Sequence, residues 1–355
     1  MKRRDFVKFT AASAALPLIN PSWGAAESAQ PWRTFRLTYH IDLPAKGTPA
    51  SLWLPLPTSA TGWQQAGKVD YVGEADTKQT IDDAQADARY YNAAWQGAPR
   101  QCVVSCLART ADRSVALPPL SSHNKTALPD EVKVFLQPSH HIPIDGIVLD
   151  TAREATKGAN TPLEKAHSIY EWVVNNSFRD PQTKGCGIGD IKSMLETGNL
   201  GGKCADINSL FVGLARASGI PAREVFGIRV AGSKLFKSLG KAGDVTRAQH
   251  CRAEFYLAGH GWIPVDPADV RKAVLEEKLP LNDLKIAALR TKLFGAWQMN
   301  WLAFNHARDF ALKPQASSNP INFLMYPYAE LAGTPREQLA PDQFIYRIES
   351  EEIAA

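Results

Sequence analysis

The sequence predicts an α+β protein, a small β-rich domain followed by a region of helices, one of them opening at a cysteine, and a β-hairpin. Three observations predict it. Residues 31 to about 130 carry short alternating apolar runs separated by polar, Ala- and Asp-rich stretches. From Asp145 the apolar period becomes helical, with capping signals at Thr161 and a second helix opening at Cys204. A hairpin pattern follows over residues 250–267. At 355 residues, 45% hydrophobic and 21% charged, the chain can bury a substantial core and has room for about two domains.

Residues 1–29 read as an export signal. A basic stretch, Lys2 to Lys8, precedes a short apolar run, Phe9 to Ile19, and the small residues Ser22, Gly24, Ala25 and Ala26 follow. The pair Arg3-Arg4, continued by Asp5-Phe6-Val7-Lys8, resembles the twin-arginine export motif. The apolar run falls short of the about 20 residues a membrane-spanning helix needs, and no other segment supplies them. A periplasmic or secreted protein is expected. Of the formal charge of +4, residues 1–24 carry +3, which leaves a nearly neutral body and no basic stripe for nucleic acid.

In the β-rich domain, residues 31–130, the run from Arg33 to Leu43 sets Phe35, Leu37, Tyr39 and Ile41 on one face and Arg36, Thr38, His40 and Asp42 on the other, a half-buried strand. Ser51 to Leu56, Val69 to Val72 and Gln101 to Leu107 are further strands. Pro138 to Pro143 connects to the core, residues 138–348. Its neighbouring His140 and His141 point apart on any regular element, which argues against a metal site. Thr161, Pro162 and Glu164 form a capping box, after which Leu163, Ala166, His167, Tyr170 and Val174 share a face; His167 there reads as a packed core residue.

The segment from Gly201 to Pro221 is the most informative. Ile207, Leu210, Phe211 and Leu214 fall at i, i+3, i+4 and i+7 of an amphipathic helix that stops at Gly219 and Pro221. Gly201-Gly202 puts Cys204 in the first turn, where free N–H groups and the helix dipole favour a thiolate. The plainer reading of Cys204 is a small buried side chain. Its partners decide between the two. His250, Arg252, Glu254 and Tyr256 alternate with Cys251, Ala253, Phe255 and Leu257, and a turn at Gly259-His260-Gly261 leads into a second strand, Trp262 to Pro267. In antiparallel pairing, His250 and Asp266 share a face when paired residue numbers sum to an even value, and a sum of 516 sets them directly opposite. A carboxylate there orients the imidazole and stabilises its protonated form.

The strings Gly-Lys-Cys-Ala-Asp-Ile-Asn-Ser-Leu-Phe, Ser-Gly-Ile-Pro-Ala-Arg, His-x-x-x-Glu-Phe-Tyr and Gly-Trp-Ile-Pro-Val-Asp-Pro resemble the bacterial transglutaminase-like superfamily over about residues 160–270. The resemblance implies a papain-like core with Cys204 as nucleophile, His250 as general base and acid, and Asp266 as the orienting carboxylate. It also implies a peptide or protein substrate and acyl transfer through a thioester, with no metal or organic cofactor. Hydrolysis of a peptide or amide is the favoured outcome, since many relatives are thought to be peptidases; protein-glutamine transamidation is the alternative, and a non-catalytic envelope binding module is the rival from another class. The chain departs from the family pattern at Lys203, where Asp or Tyr is common, and at Arg252, where an aromatic residue is common.

Other residues receive plainer expectations. Asp206 stabilises the start of the Cys204 helix, Asp269 caps or ends the second strand, Cys251 faces the core, and His260 is exposed at the cleft rim. Trp172, Trp262, Trp297 and Trp301 pack in the core rather than line a groove. Five cysteines (Cys102, Cys106, Cys186, Cys204, Cys251) leave at least one thiol unpaired within the chain; a Cys186–Cys204 disulfide would make activity depend on reductant. Asn322 to Tyr328 and Gln343 to Ile348 are the last expected strands.

Overall fold

Strand β1 (Arg33–Asp42) buries Phe35, Leu37, Tyr39 and Ile41. In the computed structural model that describes the protein, residues 32–43, 48–97, 101–122, 126–337, 339 and 344–354 are described. The export signal expected over residues 1–29 lies outside the described residues.

Six strands come from the first hundred or so residues: β1, β2 (Ala50–Pro55), β3 (Gln64–Gly73), β4 (Thr77–Asp83), β5 (Ala88–Trp95) and β6 (Gln101–Thr110). Next come helices α1 (Gly146–Ala155), α2 (Pro162–Asn176), α3 (Ile191–Thr197) and α4 (Cys204–Ala217), then β7 (Ala222–Arg229), β8 (Arg252–Leu257) and β9 (Gly261–Val265). Helices α5 (Pro267–Glu276) and α6 (Leu284–Lys292) precede β10 (Trp301–Asn305), β11 (Tyr328–Leu331) and β12 (Tyr346–Ile353).

One antiparallel sheet runs β12–β1–β6–β3, with Leu37 opposite Cys106 on one side and Ser350 on the other. A second runs β9–β8–β7–β10–β5–β2–β11, with β4 also on β5. The C-terminal strand therefore completes the N-terminal sheet, and the sheet that receives the Cys204 helix continues into N-terminal strands. The described residues form one compact unit.

Strands β4 and β5 carry no alternating signal. All of β4 but Ile81 and Asp83 is exposed along a sheet edge, and most of β5 is buried on both faces. Strand β11 starts only at Tyr328, because Pro327 has no N–H for a ladder and Phe323, Met325 and Tyr326 pack into the helical core. Helix α2 has the expected capping box: Thr161 Oγ1 accepts from Glu164 N at 3.0 Å and Glu164 Oε2 from Thr161 N at 3.0 Å. His167 is only half-buried, its ring edge-on to Phe294 at 5.0 Å, so it lies at the margin of the apolar face.

Helix α4 differs most from expectation. It is buried on every face from Cys204 to Arg216 rather than amphipathic, because α1, α2, α3 and α5 surround the part that the sheet leaves open. Its buried polar side chains bond within the protein, with Asn208 Oδ1 left without a hydrogen-bond partner. Ser209 Oγ donates to Glu224 Oε1 at 2.8 Å, and Arg216 Nε donates to Ala222 O at 2.8 Å.

Behind the sheet, Gly227 on β7 sits where the strand is bulged against β10. A Cβ there would lie 2.2 Å from Leu302 O and 2.5 Å from the Trp301 ring. Gly227→Ala is therefore expected to destabilise the fold by about 1–3 kcal/mol, as overpacking does. Urea unfolding measures this, and an unchanged midpoint would show that the strands can part without cost.

Candidate active site

The start of α4 is held by a loop that wraps it closely. Asp206 accepts from Lys203 N at 2.9 Å, Gly189 N at 2.9 Å and Ile188 N at 3.1 Å, while Ala205 N donates to Cys186 O at 2.9 Å. Asp206 thus fastens both the helix start and the preceding loop. The approach requires glycine: Gly187, at φ +86°, would place a Cβ 1.8 Å from Asp206 Oδ2. Cys204 occupies the first helical position, where its backbone N–H has no intrahelical acceptor.

His250 lies two residues before β8, not within it, and is fixed through its backbone. His250 N donates to Gly227 O at 3.0 Å, and Trp301 Nε1 donates to His250 O at 2.8 Å. Asp266 follows β9 and is the N-cap of α5, accepting from Asp269 N at 3.1 Å. The β8–β9 register pairs Ala253 with Val265 and Phe255 with Ile263. It is displaced by two residues from the arrangement that sets His250 directly opposite Asp266. The even parity is kept, and His250 Nε2 reaches Asp266 Oδ2 diagonally at 2.8 Å. Both side chains are buried.

Asn208, one turn along α4 from Cys204, ties helix to hairpin, donating to Cys251 O at 2.8 Å and to Asp266 Oδ1 at 3.4 Å. Cys204 lies close enough to His250, Cys186 and Cys251 for each to shift its ionisation. Cys251 is in the core as expected, but its thiol also turns toward Cys204. All three cysteines are free thiols.

Burial opposes ionisation of Cys204. Hydrogen bonds from the Cys186 and Cys251 thiols and from His250, with the imidazolium charge, outweigh it and hold the thiol well below the ordinary range. Burial and Arg229 push the His250 imidazolium toward neutrality, but the carboxylates of Asp269 and Asp266 prevail and raise its pKa. Together these directions favour a thiolate–imidazolium pair.

Asp269 is not a strand cap. It is the third residue of α5, 3.4 Å from His250 Nε2, and it accepts from Arg229 Nη2 at 2.5 Å. Burial raises the Asp269 pKa, yet Arg229 overcomes it and keeps the carboxylate ionised well below its usual range. Arg252 lies behind Asp266, its Nε 3.4 Å from Oδ2 and its guanidinium 4.6 Å from the Trp301 ring. Burial pulls the Arg252 pKa to about 10. Arg229 carries no sequence signal, and Asp269, the competitor of Asp266 for the histidine in the sequence, stands beside His250 together with Asp266, at the helix start that Asp-Pro-Ala-Asp encodes. Among the described residues, the one group with metal-ligand spacing is His250, Asp266 and Asp269. Two guanidinium groups already supply the positive charge there, so a cation does not fit.

Cys204 and His250 lie at the floor of a cleft of about 630 Å³, whose lining includes Lys203, Arg229 and Tyr326. None of Trp172, Trp262, Trp297 and Trp301 is among its lining residues. His260 is exposed in its turn but also lies outside the cleft lining.

With this geometry established, similarity to known proteins is informative. The model of the Transglutaminase-like superfamily matches residues 149–267, which include Cys204, His250 and Asp266. An uncharacterized protein from Haemophilus influenzae is 40% identical over 337 residues, covering 90% of this chain and 91% of its own. The chain belongs to the transglutaminase-like superfamily. In fold, this member resembles a candidate cysteine protease from Cytophaga hutchinsonii, with a TM-score of 0.54 and 15% identity over 92% of each chain. The periplasmic domain of TgpA from Pseudomonas aeruginosa is more distant, with a TM-score of 0.33 and 17% identity over 74% of this chain and 93% of that domain.

Two measurements test the electrostatics. The rate of Cys204 alkylation should rise through an apparent pKa below the ordinary thiol value of about 8.5, and His250→Ala should move it upward. An unchanged profile in the variant would separate the thiol from the imidazole. Arg229→Met should cost about 3–5 kcal/mol in urea unfolding at neutral pH, because it removes the guanidinium hydrogen-bonded to the buried Asp269. A loss below about 1 kcal/mol would mean that Arg252 compensates.

Proposed function

We propose that this protein is a cysteine hydrolase of peptide or amide bonds that works through a Cys204 thioester. The observation that carries the reading is the convergence of a first-turn cysteine, a buried histidine and a buried carboxylate. Cys204 and His250 line the same cleft, and His250 Nε2 lies 2.8 Å from Asp266 Oδ2.

In the acylation step the Cys204 thiolate attacks the substrate carbonyl, forming the S–C bond and moving an electron pair onto oxygen. The backbone N–H of Cys204 donates to that oxyanion. As the tetrahedral intermediate collapses, His250 gives its proton to the departing nitrogen and the C–N bond breaks, leaving a thioester. His250 then takes a proton from water as the water attacks the thioester. The acid leaves and the thiolate returns. Asp266 holds the ring and stabilises its protonated form. The C. hutchinsonii neighbour's description as a candidate cysteine protease agrees with this chemistry.

Hydrolysis is favoured over cross-linking by the charge of the approach. A transamidase must bring a lysine amine to the thioester, and amines are mostly ammonium at neutral pH. Lys203, Lys237, Lys241 and Lys272 line this cleft and repel such a donor, whereas water enters freely. With the expected export signal over residues 1–29, the reaction would take place outside the cytoplasm.

The test is a screen of peptide and amide substrates with and without a primary-amine acceptor. Release of the free acid should dominate, Cys204→Ala should abolish turnover, and Asp266→Asn should lower kcat by about 10²–10⁴. Dominant incorporation of the amine would establish transamidation instead. Full turnover by Cys204→Ala would overturn the mechanism.

A further inference from the structure

We propose that the cleft selects an acidic peptide, one that carries two or more carboxylates close to the bond presented to Cys204; this rests on the hydrolase reading and specifies its substrate. Six cationic side chains line the cleft: Arg179, Lys203, Lys237, Lys241, Arg247 and Lys272. Only two carboxylates, Glu276 and Glu277, stand among them. Glu276 is shared, 3.7 Å from Arg179 and 3.8 Å from Lys272, so it offsets one charge between two cations. Glu277 accepts from Ser238 N at 2.8 Å on the loop that supplies Lys237 and Lys241. A further lining guanidinium, Arg229, is matched by Asp269 beneath the floor.

The excess is local. Residues 1–24 carry +3 of the chain's +4, so the rest of the chain sums to +1 while six cations against two carboxylates make this one concavity positive. A cleft with low-dielectric walls focuses such a field on whatever enters it. The start of α4 points its dipole into the same space and adds to it. Lys272 reports the crowding: burial, then Arg229, lowers its ammonium pKa, and an incoming carboxylate would relieve that cost.

The positive charge exceeds what the nucleophile needs. His250 already provides the counter-charge for a Cys204 thiolate, and Lys237 and Lys241 are exposed side chains on the cleft wall. They are placed to meet a ligand. The width suits a peptide, since about 630 Å³ admits a few residues around the floor cysteine.

Binding to the Cys204→Ala variant tests this without relying on turnover. The probes are a rhodamine-labelled mixture of six-residue peptides with Glu at three positions, the same mixture with Gln there, and a single-stranded dT oligomer of equal charge. Fluorescence anisotropy in low salt should show the Glu mixture binding at least about tenfold tighter than the Gln mixture. The gap should shrink at 0.5 M salt, where charges are screened within a few ångströms. Lys237→Glu with Lys241→Glu, both at exposed positions, should remove most of the preference while the circular dichroism spectrum stays unchanged. Equal affinity for the two peptide mixtures, or no binding by either up to millimolar concentration, overturns the proposal. Tighter binding of the dT oligomer than of the Glu mixture overturns the peptide assignment. Failure of the hydrolase reading looks different: Cys204 would then alkylate slowly and form no acyl-enzyme, whatever the peptide affinities.

Discussion

Everything at the floor of the cleft depends on the buried ion network behind His250. Asp266 and Asp269 lie on one turn of helix start, held together by the N-cap hydrogen bond from Asp269 N to Asp266 Oδ1. Two carboxylates this close in a dry site would drive one of them to take up a proton. Burial and the Asp269 charge do push the Asp266 pKa upward, while His250 and Arg252 pull against them. Arg229 and Arg252 make the arrangement tenable by placing one guanidinium beside each carboxylate. With two arginines against two carboxylates, an imidazolium against a thiolate is the remaining balanced pair. The floor can therefore hold six ionised groups with no net charge, which is the condition under which burying them is affordable.

That network constrains the fold around it. Asp266 belongs to α5, His250 to the approach to β8, Arg229 to the end of β7 and Cys204 to α4, so four elements must meet within a few ångströms. Asn208 ties three of them, since one side chain from the cysteine helix bonds both a carbonyl beside His250 and Asp266. The close approaches consume glycine at Gly187, beside Asp206, and at Gly227, beneath Trp301. Trp301 in turn fixes the His250 carbonyl and stacks on Arg252. Tryptophans here hold the machinery from behind the sheet and leave the cleft to polar residues.

The site was more legible in the sequence than the fold. Cys204, His250 and Asp266 each sit at a position with a local signature: a Gly-Gly turn into a helix, an alternating strand and a strand-ending Asp-Pro. Parity in the hairpin predicted a shared face for His250 and Asp266 even though the actual register lies two residues away. Arg229 was invisible because a buried arginine at a strand end looks like any exposed strand terminus until its partner is known. Helix α4 misled in the opposite direction. The amphipathic pattern implies a polar face in solvent, but hydrogen bonds from Asn208 to Cys251 O and from Ser209 to Glu224 let that face be buried. Strand β5 failed for a related reason, because a strand covered on both sides loses the alternation that reveals it. The sheet order, with β12 returning to β1, rests on long-range pairing that no local pattern encodes.

The balance of charge also explains why the floor and the walls of the cleft can be so different. A neutral buried network neither attracts nor repels a charged ligand strongly, so it does not set which substrate approaches. Under the proposed selection the wall does, because Lys237 and Lys241 stand exposed there. Separating the two roles has a chemical advantage. The thiolate–imidazolium pair is stabilised by fixed partners and does not depend on the ligand to form, so its reactivity survives changes at the wall. Conversely, a substrate carboxylate bound by Lys237 or Lys241 adds negative charge at the rim rather than beside the sulfur, where it would oppose the attacking thiolate. Under the proposed chemistry, an anionic substrate is captured electrostatically at the wall and still attacked by an anionic nucleophile at the floor.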